Sequence, residues 1–123
     1  MRRIDLTLPF PPRELSPNAS TRLHWGTKRR AKDKHNELVF AAAVNQRPST
    51  PFAKCVIDAT AYTTMQMDRD NIVAILKTTI DQLCKMGFIG NDKHVSWGEV
   101  ASVYGGKKVI GERRVEIVIR ETT

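Results

Sequence analysis

Apolar and polar residues alternate in Ile4-Asp5-Leu6-Thr7-Leu8, the period-two pattern of a half-buried strand. Pro9 and Pro11-Pro12 end it, since proline cannot donate to a sheet ladder. Arg13 to Gly26 is rich in Ser, Pro and Asn and reads as a loop. A helix is predicted from about Thr27 to Gln46, with Thr27 as N-cap, Ala31, Leu38, Val39 and Ala42 on one flank, and Pro48 past its end. Lys54 to Tyr62 alternates again and gives a second strand. A second helix is predicted from about Arg69 to Met86, with Ile72, Leu76, Ile80 and Leu83 as its core stripe. It stops at Gly87, because glycine tolerates positive φ. Trp97 to Tyr104 and Arg113 to Arg120 read as two strands of a hairpin, its loop bracketed by Gly105-Gly106 and Gly111. This order predicts an α+β fold: a mixed sheet of about four strands flanked by two main helices, with residues 1–123 as a single domain.

Composition narrows the class of protein. The 41% hydrophobic and 27% charged residues are ordinary globular values. No apolar run approaches the roughly 20 residues of a membrane-spanning helix. Met1 to Asp5 shows no apolar signal stretch, and Cys55 and Cys84 form neither a disulfide framework nor a zinc motif. The expectation is a reduced, cytoplasmic protein without a membrane partner. Charge says more. Twenty Lys and Arg against 13 Asp and Glu give +7, which favours a polyanionic partner. Residues 1–60 hold 11 basic and 5 acidic side chains, while residues 61–123 are nearly balanced at 9 and 8. The excess peaks where Arg22, Lys28, Arg29, Arg30, Lys32 and Lys34 meet only Asp33.

Candidate chemistry centres on Asp68-Arg69-Asp70-Asn71, at the loop-to-helix junction, and on Asn91-Asp92. Asp68 and Asp70, spaced i and i+2, can converge on one hard cation, with Asp92 as the third carboxylate. Magnesium takes such oxygen ligands, completing its shell with water and phosphate. At 100° per residue, Asp70, Lys77 and Asp81 fall within about 40° of one another, opposite the core stripe. The competing reading is ordinary helix chemistry, with Asp68 a cap, Asp70 a first-turn anion, and Lys77 and Asp81 an i, i+4 ion pair. His24, His35 and His94 share no ligand spacing and read as surface or loop residues. Trp25 and Trp97 could stack on bases, although packing is the favoured reading.

These residues resemble the RusA family of Holliday junction resolvases, small endonucleases common on phages and prophages. Leu8-Pro9-Phe10-Pro11-Pro12 resembles the family's strand and Pro-Pro turn, and Ser16-Pro17-Asn18 its Ser/Asn element. Asp68-Arg69-Asp70-Asn71 matches the D-x-D-N signature. Lys77 to Leu83 resembles the K-x-x-φ-D-x-L helix, and Gly87 to Asp92 the G-φ-φ-x-D-D segment. The resemblance implies metal-binding carboxylates at Asp68, Asp70 and Asp92, and a catalytic lysine at Lys77, with Asn71, Asp81 and Asn91 as secondary positions. Lys77 falls about three residues later than the family spacing, and Asn91 stands where an aspartate is frequent. The implied activity is magnesium-dependent cleavage of four-way DNA junctions by paired symmetric nicks, in recombination and repair, with manganese as a substitute ion. The implied partners are branched DNA and a second copy of the chain, in the bacterial host of a phage or prophage. Arg22, Lys28, Arg29, Arg30, Lys32, Arg69, Lys107 and Lys108 would contact phosphates. The alternatives are a non-catalytic basic DNA- or RNA-binding module, with Asp68 and Asp70 as helix caps, and a small basic subunit of a larger assembly.

Overall fold

The computed structural model describes residues 1–17 and 24–123. Strands β1 (Arg3–Pro9), β2 (Cys55–Thr63), β3 (Val95–Tyr104) and β4 (Arg114–Glu121) form one sheet in the order β1-β4-β2-β3. β4 is antiparallel to both β1 and β2, whereas β2 and β3 are parallel. A parallel step needs a crossover, and helices α2 (Arg69–Ile75) and α3 (Lys77–Lys85) supply it. Helix α1 (Trp25–Ala43) joins β1 to β2, and a short α4 (Lys107–Ile110) lies between β3 and β4. The predicted α+β fold with a four-stranded mixed sheet is therefore the observed one.

The hairpin expected of the last two strands does not form. β2 lies between β3 and β4. Residues 105–113 carry the chain past the end of β2, where the Gly105 N–H donates to the Thr63 carbonyl at 3.3 Å and Ile110 is buried. Burial explains the placement. Val115, Ile117 and Ile119 of β4 are fully buried, as a central strand permits, while much of β3 stays exposed at the edge.

The helices differ from expectation in detail. α1 starts at Trp25, two residues before Thr27, because His24 Nδ1 accepts the Gly26 N–H at 3.1 Å and acts as the N-cap. Its buried stripe is His35, Val39 and Ala43, at i+4 spacing, whereas Leu38 and Ala42 are exposed. His35 is thus not a surface residue: it is 2% exposed, and its Nε2 lies 2.9 Å from the Thr79 hydroxyl of α3. A 3-10 turn at Val44–Gln46 ends this segment at the expected place.

The second predicted helix is two helices, broken at Leu76 (φ −81°, ψ −2°). The core stripe is as predicted, with Ile72, Leu76, Ile80 and Leu83 all buried. α3 closes at Gly87 (φ 88°), where the Gly87 N–H donates to the Cys84 carbonyl and the Phe88 N–H to the Leu83 carbonyl. That pair of bonds is the Schellman closure that glycine's left-handed conformation allows.

A bulge in β3 shapes the neighbourhood of the candidate site. Ile57 pairs with Trp97 but Ala59 with Val100, so Gly98 and Glu99 together oppose Asp58. The inward phase of β3 therefore shifts: Val95 and Trp97 before the bulge, and Val100 after it, all pack against the core. The helices cover this inner face only. The outer face pairs its own charges, Arg3 with Asp5, Arg114 with Glu116 and Arg120 with Asp58. Among the described residues, no helix is long and apolar enough to cross a membrane.

Candidate functional site

The Gly87 closure turns the chain back along α3 and fixes the loop that carries Asp92. Phe88 and Ile89 are buried. The Phe52 N–H donates to the Phe88 carbonyl at 2.9 Å, and the Gly90 N–H returns to the Phe52 carbonyl at 3.0 Å. A 3-10 turn (Asp92–His94) follows, capped by Asn91, whose Oδ1 accepts the Lys93 N–H at 2.9 Å. Asn91 thus uses its side-chain oxygen to present Asp92.

Asp92 then meets α3 across a cleft of about 420 Å³, lined by Val73, Ala74, Lys77, Ile80, Asp81, Val95, Trp97 and Pro17 as well. The walls are mostly apolar, and the polar groups are one lysine and two carboxylates. Lys77 and Asp81 lie one helical turn apart, as the projection predicted. The ion pair expected between them is not made among the described residues. Cys84 registers the same two carboxylates: burial pushes its thiol pKa up, and Asp92 and Asp81 push it the same way.

This cleft continues into a groove. A second hollow of about 450 Å³ shares Asp81 and Asp92 with the first and adds Lys32, Cys84, Lys85, Gly90 and Asn91. A third, of about 360 Å³, shares Lys32 and Lys85 with the second and adds Trp25, Lys28, Arg29, Asp33 and Asn36. Trp25, Lys28, Arg29, Lys32 and Asn36 follow i, i+3, i+4, i+7, i+11, so one stripe of α1 forms this wall. The groove runs from an acidic end at Trp97 to a basic end at Trp25.

The remaining predicted residues lie elsewhere. Asp68 occupies the N-cap position of α2 (φ −71°, ψ 152°), but its carboxylate makes no capping hydrogen bond. Asp70 and Asn71 are exposed in the first turn of α2, and Arg69 donates to the Gly98 carbonyl at 3.3 Å, tying α2 to the bulge. Six residues separate Asp70 from Lys77, an interval of about 10 Å in a straight helix, and the break at Leu76 falls within it. Asp68 and Asp70 are accordingly not in the cleft that Asp92 lines, and among the described residues no three His, Cys, Asp or Glu side chains gather to hold a metal. Arg30 bonds Thr27 and lies outside the groove. Lys107 and Lys108 stand beyond the far end of β3, about 30 Å of strand from Asp92. Arg22 and Asn18 fall outside the described residues.

The site also contains Lys85, which motif reading passed over. Lys85 joins the groove from α3, and Trp97 forms a wall of the cleft. Trp25, favoured as a packing residue, is 71% exposed. Lys85 lies one turn beyond Asp81, so the helical repeat is the signal that finds it. No protein-family model matches the chain, and no curated protein matches it.

Proposed function

We propose that the chain is a magnesium-dependent endonuclease of branched DNA that resolves four-way junctions by paired symmetric nicks, in the manner of the RusA resolvases it resembles. The observation that carries this reading is the convergence of Lys77, Asp81 and Asp92 on one cleft that opens into a cationic groove. Nucleic-acid affinity is dominated by phosphate contacts, and the groove supplies cations that are not paired with carboxylates among the described residues. The outer sheet face, with its charges matched, offers far less to a polyanion.

The carboxylates suit the ion by donor chemistry. Magnesium prefers oxygen ligands and is commonly bound through one or two carboxylates, with waters and substrate phosphate completing the shell. Asp81 and Asp92 fit that description; the trio Asp68, Asp70 and Asp92 is not gathered. When bound, magnesium supplies an activated water and stabilises charge on the leaving oxygen. Lys77, directed into the same cleft, neutralises charge at the scissile phosphate. The apolar walls of Val73, Ile80, Val95 and Trp97 limit water around the reacting group. Two nicks on symmetric strands call for two such sites, which a two-fold homodimer provides.

The test incubates the protein with a labelled four-way junction and a matching linear duplex, with magnesium or EDTA, beside Asp92→Asn. Paired nicks on the junction alone, lost with EDTA and in the variant while junction binding persists, are expected. Tight binding without any cut would instead favour a binding module, the reading that the dispersed Asp68, Asp70 and Asp92 also suit.

A further inference from the structure

The basic end of the groove pairs features that ordinary folding does not require together. Trp25 is 71% exposed at the first position of α1, and its ring stacks on His24 with centroids 5.9 Å apart and planes 26° from parallel. Leaving an indole in water forgoes the burial that makes tryptophan valuable to a core. One and two turns along the same stripe stand Lys28, Arg29 and Lys32, and Lys85 faces them from α3. None of these four cations is in an ion pair among the described residues. Asp33 is the one carboxylate on this part of the groove. The Gly26 N–H donates to His24 Nδ1, which sets the His24 ring at the helix start beside the indole.

We infer that this end of the groove binds single-stranded DNA, with one base stacked on Trp25 and the neighbouring phosphates held by Lys28, Arg29, Lys32 and Lys85. An aromatic face beside a cationic track is the chemistry that single strands use, because every base has a π-face and every nucleotide a phosphate. A base inside a duplex has both faces covered. The exposed indole therefore selects unpaired nucleotides, and the cations alone would not. The choice of DNA over RNA rests on the endonuclease reading; the stacking argument does not. The groove then leads the strand from Trp25, past Lys32 and Lys85, toward Asp92 and Lys77. An unpaired segment beside a branch point would thus position the strand to be cut.

Fluorescence anisotropy of a labelled ten-nucleotide dT strand, measured in EDTA so that nothing is cleaved, tests this. A ten-residue abasic strand and a blunt duplex serve as probes of equal charge type. The dT strand is expected to bind more tightly than either. Trp25→Ala should weaken dT binding roughly 5- to 150-fold, the range of a single base stack, and Trp25→Tyr should restore most of it. Four phosphate contacts predict a slope of log affinity against log salt of about −3, and Lys32→Gln should reduce it by about 0.7. Trp25 is exposed, so circular dichroism of the alanine variant should match the parent. Equal binding of dT and abasic strands, or a Trp25→Ala change below twofold, overturns the proposal. Junction cutting with that result would sink this proposal alone. Trp25-dependent dT binding without junction cutting would sink the endonuclease reading alone.

Discussion

Gly98 is where the sheet leaves least room, and Gly98→Ala tests the account of the β3 bulge. A Cβ on Gly98 would clash with Asp58 Oδ1 and lie 2.9 Å from Val56 Cγ1 and 3.2 Å from Arg120 Nη2. The Asp58 carboxylate cannot stay where it is. Its Oδ1 accepts the Glu99 N–H at 2.8 Å, and its two oxygens accept Arg120 Nε at 3.0 Å and Nη2 at 3.2 Å. Hydrogen bonds to a charged group contribute about 1.5–3 kcal/mol when shielded. The Arg120 side chain is 47% exposed, so the lower part of that range applies. Overpacking against Val56 adds about 1–3 kcal/mol. The expected cost is about 2–4 kcal/mol, read from urea unfolding followed by circular dichroism. A double-mutant cycle isolates the cause. In an Asp58→Ala background the carboxylate is gone, so Gly98→Ala should cost at least about 1 kcal/mol less than in the parent. A Gly98→Ala cost within about 0.5 kcal/mol of zero, or strict additivity with Asp58→Ala, would refute the reasoning.

Three further outcomes follow from the packing and the cleft. Burial holds the His35 pKa below its ordinary value, so the unfolded chain takes up that proton first. The stability linked to His35 is full above about pH 6.5 and falls as pH drops toward the lower folded value. Denaturation midpoints from pH 7.5 to 5 should show this slope in the parent and lose it in His35→Gln. Cys55 is buried and its thiol is pushed up to about 11, so a thiol reagent at pH 8 should leave it unmodified in the folded protein and modify it in denaturant. Lys77→Gln should lower junction cleavage by about 10²-fold or more while changing junction affinity less than threefold, since its cation acts at the scissile phosphate.

Much of the architecture was legible because burial in this chain is strongly periodic. The alternation through Cys55 to Thr63 and the stripe Ile72, Leu76, Ile80 and Leu83 appear in the fold as read. Pairing was not legible. The period-two signal of Val115, Ile117 and Ile119 shows a strand but not its neighbours, and two strands joined by a Gly-rich link resemble a hairpin until the crossover is known. The burial of His35 is not legible, because a lone histidine gives no sign of a Thr79 partner 44 positions away. The bulge did have a signal, glycine in a strand interior, but its consequence depends on Asp58, which is remote in sequence. In the candidate site, the shared stripe of Lys77 and Asp81 followed from helical geometry. The separation of Asp68 and Asp70 from Asp92 depended on the chain path after Gly87.

That separation allows the two carboxylate pairs to be tested independently. A lysine one turn after D-x-D-N would stand about 6 Å along the helix from the second aspartate. Here the interval would be about 10 Å in a straight helix, and it includes the break at Leu76. α3 therefore carries Lys77 and Asp81 as a unit with the Asp92 loop, which the Gly87 closure and the Phe52–Phe88 bonds fasten to it. Asp68 and Asp70 belong to a different unit, tied to the β3 bulge through Arg69. If chemistry takes place in the cleft, Asp81→Asn should abolish junction cutting as fully as Asp92→Asn, and Asp70→Asn should do less. All three sites are at least partly exposed, so the variants should unfold like the parent. Loss of cutting in Asp70→Asn with full activity in Asp81→Asn would place the reaction at the start of α2 instead. The lengthened interval would then have moved the lysine away from the reacting group.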